Sequence, residues 1–210
     1  MDAMATATHA GDAQASFSGT LTDKLKEQFD AGLLSGQELR PDFTIAQPLD
    51  RYTDTDHAVW AKLYDRQASM LRGRVCDEFL QGLSTLGMER DRVPSFDQLN
   101  ETLMRATGWQ VVAVPGLVPD AVFFEHLANR RFPAGQFIRK PHELDYLQEP
   151  DIFHDVFGHV PMLTDPVFAD YMQAYGEGGR RALGLGRLAN LARLYWYTVE
   201  FGLMNTPAGL

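Results

Sequence analysis

From His57 onward apolar residues recur at three- and four-residue steps: Val59, Trp60, Leu63, Tyr64, Met70 and Leu71. That spacing lines one face of an α-helix and needs a partner surface to cover it, so the chain is constrained to pack helices around a core. A second helical stretch runs from Val75 to Leu86, ended by Gly87 or the following turn. A third begins at Ser95, placed as a cap with Gln98 three residues on, and reaches about Thr107-Gly108. The pattern then changes. Trp109-Gln-Val-Val-Ala-Val is β-rich and closes at Pro115-Gly116, which predicts a short strand and a turn.

Pro119 opens another helix, and Phe137-Ile138-Arg139 reads as a second short strand. Further helices are expected over Pro150 to Phe157, Pro166 to Tyr175 and about Leu188 to Met204. The first two carry Pro at the start and Gly158 or Gly176 at the end, the usual asymmetry of helix termini. The expected fold is mainly α with minor short β-strands.

A length of 210 residues suits one domain, here residues 21–210. Residues 1–20 are small and polar and read as a disordered tail; Leu21 to Leu34 can form a short helix, and residues 40–55, with Pro41 and Pro48, an extended arm. Nineteen basic against 28 acidic residues leave a net charge of −9, which argues against nucleic acid or an anionic membrane as partner. Cys76 is the only cysteine, so no internal disulfide forms, and its setting suggests a small core residue. With no apolar run near the roughly 20 residues of a membrane span and no signal-peptide pattern, a cytoplasmic protein is expected.

The informative run is Glu149-Pro-Asp-Ile-Phe-His-Asp-Val-Phe-Gly-His-Val-Pro. His154 and His159 are five apart, which on an unbroken α-helix splays their rings by about 140°. A helix ending at Gly158 lets the exit turn swing His159 back toward His154. Such a pair suits a metal, or equally a hydrogen-bonded helix end. The zinc-protease pattern, with its histidines four apart and Glu beside the first, is absent. Glu200 lies in the apolar stretch Leu194-Tyr-Trp-Tyr-Thr-Val-Glu-Phe-Gly-Leu. Its same-face neighbours Trp196, Tyr197, Leu203 and Met204 offer no cation, so a carboxylate buried there calls for a divalent ion or a proton.

Two imidazoles and one carboxylate leave coordination positions open, a set suited to non-haem Fe(II), although zinc, manganese or cobalt fits by ligand type. Asp151 and Asp155 flank His154 and either orient ligands or simply favour a helix N-terminus. Arg139 either grips a substrate carboxylate or pairs at the surface with Glu143 or Asp145. The turn Val114-Pro-Gly-Leu-Val-Pro leads into Phe123-Phe124, where an aromatic can stack on a flat heterocycle or serve the core. His57, His126 and His142 have no partner at ligand spacing.

Together these residues resemble the aromatic amino acid hydroxylases, the pterin-dependent iron monooxygenases, most closely the short bacterial phenylalanine 4-hydroxylases, over roughly Tyr52 to Leu210. The resemblance implies Fe(2+) held by His154, His159 and Glu200, and tetrahydrobiopterin or a related reduced pterin as cofactor. It assigns backbone contacts to the pterin to Gly116, Leu117 and Val118, stacking to Phe123, and a polar contact to Asp155. It assigns the amino-acid carboxylate to Arg139 and the wall of the ring pocket to Pro150 and Trp196. The implied reaction is hydroxylation of L-phenylalanine to L-tyrosine with dioxygen, in phenylalanine catabolism, by a monomer.

Leu147-Gln148 stands where animal enzymes carry Thr-Pro, so substrate contacts from that loop are expected to differ. Family catalytic domains continue well beyond Glu200, whereas this sequence stops at Leu210, which implies a domain incomplete at its C-terminus. The rival expectations are a hydroxylase of tyrosine or tryptophan, an inactive metal- or partner-binding fragment, and a zinc hydrolase using Asp155 as base.

Overall fold

Thr53 and Asp56 start the first long helix by trading bonds. The Asp56 N–H donates to Thr53 Oγ1 at 3.3 Å and the Thr53 N–H to Asp56 Oδ2 at 2.9 Å. This reciprocal cap launches α1, Asp54–Leu71, three residues before the apolar stripe becomes visible. The computed structural model describes residues 37–205 together with 207 and 209. The tail at 1–20 and the helix at 21–34 lie outside the described residues.

Val59, Trp60 and Leu63 of α1 are buried as their spacing predicts, but Met70, at the far end of the stripe, is exposed. Helix α2, Asp77–Leu86, stops at Gly87, whose left-handed φ of 59° suits a residue without a side chain. Cys76 precedes this helix and is exposed rather than core, its sulfur 3.7 Å from that of Met162. Helix α3, Phe96–Ala106, begins after Ser95 as expected, yet the Ser95 hydroxyl makes no cap bond. Gln47 reaches in from the extended arm instead: its Oε1 accepts the Phe96 N–H at 2.7 Å and its Nε2 donates to the Pro94 carbonyl at 2.9 Å.

Strand β1, Gln110–Val114, helix α4, Asp120–Ala128, and strand β2, Arg131–Gly135, form one crossover unit with the strands parallel, Gln110 opposite Arg131 and Val114 opposite Gly135. The second strand therefore lies upstream of Phe137-Ile138-Arg139. Pro133 disguises it, since proline has no N–H for a ladder and is tolerated only where one side of the strand is unpaired. Residues 137–139 bond to the ligand segment instead: Ile152 N–H donates to the Phe137 carbonyl at 2.9 Å and Arg139 N–H to Asp151 Oδ2 at 3.0 Å. On the other edge of β1, Asn100 exchanges two bonds with the backbone of Val111, at 2.6 and 3.0 Å.

Helix α5, Pro166–Gly184, begins with Asp165 accepting the Phe168 N–H at 2.8 Å and runs on through Gly176, where the sequence suggested an end. Its glycines serve close approach rather than termination. A Cβ at Gly176 would lie 2.2 Å from the Ala128 nitrogen, and one at Gly179 2.2 Å from the Phe124 ring. Helix α6, Leu188–Tyr195, passes into a π-helical turn, Trp196–Glu200, and ends there, four residues short of Met204. The result is mainly helical with one small parallel sheet, and no helix among the described residues is long and apolar enough to cross a membrane.

Candidate metal centre

Phe153–His159 is a π-helical turn, followed by a 3-10 turn at Val160–Thr164. Bonds in a π-helix run to the carbonyl five residues back, so residues five apart stack on one face. The helix does not end at Gly158, as the sequence suggested. It widens, and the wider coil carries His159 beneath His154, with ring centroids 5.0 Å apart. The opposite face fixes this winding in the core. Phe153 and Phe157 stack at 4.8 Å; Phe153 meets Trp60 edge-on at 5.1 Å, and Phe157 meets Tyr64 at 5.4 Å.

Glu200 closes the group from the second π turn. Its Oε2 lies 3.4 Å from His154 Nε2 and its Oε1 3.3 Å from His159 Nε2. One donor atom from each of the three residues falls within 4.8 Å of the others. The surroundings of Glu200 differ from the sequence reading, because Trp196, Tyr197, Leu203 and Met204 are 63 to 80% exposed. What holds the carboxylate is the pair of imidazoles, not an apolar pocket. Burial raises its pKa, but the hydrogen bonds and charge of His154 and His159 outweigh that and hold it well below the usual carboxylate range. Burial likewise opposes charge on His154, yet Asp155 and Glu200 push its pKa up to about 10.

Asp155 divides its carboxylate between two partners: Oδ1 lies 2.9 Å from His154 Nδ1, and Oδ2 accepts the Gly135 N–H at 2.8 Å. A carboxylate on Nδ1 turns Nε2 toward the other donors, as metal-binding histidines usually require. Asp151 does not reach either ring. Its Oδ1 accepts the His154 backbone N–H at 3.0 Å, the helix-terminus role, while both oxygens take Arg139, with Nε and Nη2 each at 2.9 Å. Arg139 thus pairs with neither Glu143 nor Asp145. The bonds to Asp151 outweigh burial and raise its pKa further, so it stays charged. Of its five N–H donors, the Nη1 pair and the outer one on Nη2 remain, an end-on fork that fits a second carboxylate.

The remaining residues implied by the resemblance fall on several elements. Gly116 is buried, Leu117 exposed and Val118 half-buried in the turn between β1 and α4. Phe123, on the first turn of α4, meets Tyr195 edge-on at 5.4 Å, and Tyr195 in turn lies 6.2 Å from the His159 ring. Tyr195 is the residue that sequence reasoning missed. It joins the aromatic of α4 to the candidate ligand His159, and burial pushes its phenol well above the usual range. Its position five before Glu200, at the entry to the wide turn, is the signal that marks it. Pro150 is half-buried beside Asp151, whereas the Trp196 ring is 63% exposed.

A cavity of about 670 Å³ lies along His154 and Arg139, lined also by Phe153, Phe157, Arg66 and Leu144; of the three donor residues only His154 borders it. Two neutral-capable imidazoles and a carboxylate, with Nδ1 of His154 already occupied and an open cavity alongside, fit a divalent iron that keeps free positions.

Comparison with known proteins agrees with this chemistry. Residues 31–209 match the model of the biopterin-dependent aromatic amino acid hydroxylases. The chain is 72% identical over 210 residues to a phenylalanine-4-hydroxylase of Ralstonia nicotianae, covering 99% of this chain and 67% of the relative. It is 78% identical over 171 residues to one of Caulobacter vibrioides, covering 81% of this chain and 58% of the relative. Two crystal structures of phenylalanine hydroxylase from Chromobacterium violaceum are similar. One, with bound iron and phenylalanine, has a TM-score of 0.76 at 66% identity; the other, with iron(III) and 7,8-dihydrobiopterin, has 0.77 at 69% identity. Each alignment covers 80% of this chain and 61% of the solved one. The chain therefore spans about three fifths to two thirds of the length of these relatives. On the match across 31–209 and these identities, the chain belongs to the biopterin-dependent aromatic amino acid hydroxylase family.

Proposed function

We propose that the protein hydroxylates L-phenylalanine to L-tyrosine with dioxygen and a reduced pterin, at Fe(II) held by His154, His159 and Glu200. The observation that carries this reading is the convergence of those donors within 4.8 Å, beside an open cavity, in a chain whose relatives are phenylalanine-4-hydroxylases. Iron and reduced pterin, when bound, supply the activation of dioxygen.

The protein's part is positioning. His154, fixed through Nδ1 by Asp155, presents Nε2 to the metal, and Glu200 neutralises part of its charge. Phe123 stacks on the pterin ring, with Gly116, Leu117 and Val118 offering backbone groups and Asp155 a polar contact. Arg139, braced by Asp151, offers its end-on fork to the amino-acid carboxylate, while Pro150 and Trp196 bound the ring. Two imidazoles and one carboxylate would leave positions on the iron free for its co-substrates. The protein works as a monomer in the cytoplasm.

The test is tyrosine formation from phenylalanine with the iron-loaded protein, tetrahydropterin and oxygen, run beside tyrosine and tryptophan as substrates. Iron- and pterin-dependent tyrosine is expected. No product from iron-loaded, folded protein overturns the reading, and preferred turnover of another amino acid reassigns the substrate.

A further inference from the structure

The loop from Pro141 to Pro150 joins Arg139 to the segment bearing His154, so its path sets the wall of the cavity beside the metal centre. It begins tied down: the Lys140 N–H donates to Glu143 Oε2 at 2.8 Å. Beyond that, among the described residues, 144–148 take two hydrogen bonds from outside the loop, and both come from Arg66 of α1. Arg66 Nη1 donates to the Leu144 carbonyl at 3.2 Å, and Nη2 to Asp145 Oδ1 at 2.8 Å. Tyr146, next along the loop, is 79% exposed and adds little hold. Arg66 itself stands on the capped first helix, three residues beyond Leu63, the last of the buried residues Val59, Trp60 and Leu63 that anchor it in the core.

We propose that Arg66 is a positioning residue for the amino-acid substrate, clamping the 144–148 loop against α1 so that the cavity keeps its shape between Arg139 and His154. This rests on the phenylalanine hydroxylase reading for its substrate, and on the two-pronged contact for its physics. The pair is exposed, 44% for Arg66 and 87% for Asp145, so it adds little to global stability. Its leverage is local. A loop with two outside bonds loses both when one side chain is removed, and a wall that wanders weakens binding of the molecule it faces.

The experiment compares wild type with Arg66→Ala, Arg66→Lys and Asp145→Asn in the iron-loaded protein. Arg66→Ala is expected to raise the phenylalanine KM about three- to tenfold, with kcat, pterin KM and iron content within twofold of wild type. Arg66→Lys keeps a single point charge without the fork and recovers only part of that loss. Asp145→Asn gives a smaller rise, since the Leu144 bond survives. Amide exchange read without turnover provides the independent measure: Arg66→Ala is expected to speed exchange in residues 144–148 while α1 and Phe153–His159 keep their protection. An unchanged phenylalanine KM, an equal rise in pterin KM, or unaltered exchange in the loop overturns the proposal. Failure of wild type to turn over phenylalanine, with the exchange result intact, counts against the activity and leaves the clamp standing.

Discussion

Asp155 follows His154 directly in the chain, yet its carboxylate turns back to within 2.9 Å of that ring's Nδ1 while its other oxygen holds the Gly135 N–H of β2. The small sheet thereby fixes the orientation of a candidate metal ligand. Strand β2 is short, but its last backbone amide is one end of a three-part brace from sheet to carboxylate to imidazole.

Replacing Asp155 with Ala removes that brace without touching a donor atom. Iron affinity is expected to fall about 10- to 100-fold, as for other groups behind a metal-binding histidine. Titration of the metal-free protein with Fe(II) under argon measures it. Ala at His154 or Glu200 is expected to abolish stoichiometric iron.

Metal binding is expected to strengthen with pH. In the metal-free protein His154 holds its proton up to about pH 10, so a cation must displace it, and affinity rises as the proton becomes easier to remove. The linkage for folding has two arms. The raised His154 pKa contributes stability fully present below about 6.5 and lost as pH climbs toward 10. The depressed Glu200 pKa contributes stability present above 4.5 and lost as pH falls below it. A melting-temperature profile of metal-free protein should therefore sag at both ends, and the alkaline arm should vanish in His154→Ala.

Asp151 is fully buried and its partner Arg139 is mostly so. Asp151→Ala leaves a guanidinium short of its acceptor and is expected to cost about 3 kcal/mol, the low end for a broken buried pair, because Arg139 retains some access to water. Urea unfolding reads the loss, and a raised phenylalanine KM accompanies it because the fork of Arg139 is no longer held.

Gly158 and Gly179 make a contrasting pair. A Cβ at Gly158 meets nothing within 4 Å, so Gly158→Ala should keep iron and fold, whereas Gly179→Ala drives into the Phe124 ring and is expected to cost about 1–3 kcal/mol or more. Thermal unfolding of the two variants separates them.

Much of this was legible in the sequence for physical reasons. Helices with long apolar stripes or proline starts, such as α1 and α5, announce themselves because burial and terminus chemistry leave marks on residue type. The grouping of His154, His159 and Glu200, whose donor atoms the structure brings within 4.8 Å, was legible through the family resemblance and the chemistry of the residues. What stayed hidden were contacts made at a distance. Gln47 caps α3 from 49 residues away, leaving Ser95 in the right place without the bond. Strand β2 contains Pro133 and lies upstream of Phe137-Ile138-Arg139, where the second strand is expected, because pairing with β1 overrides a poor local preference. Gly176 reads as a stop, since a sequence does not show that α4 lies against it. The loop clamp from Arg66 to Asp145 spans 79 residues and left no local trace.

The wide winding at Phe153–His159 makes residue count itself a requirement of the proposed iron site. Adding one amino acid between the two rings would swing an imidazole by about 100° away from its partner, even if every other side chain were unaltered. Insertions there should thus be far less tolerated than exchanges, so that in this stretch spelling can drift while length does not grow.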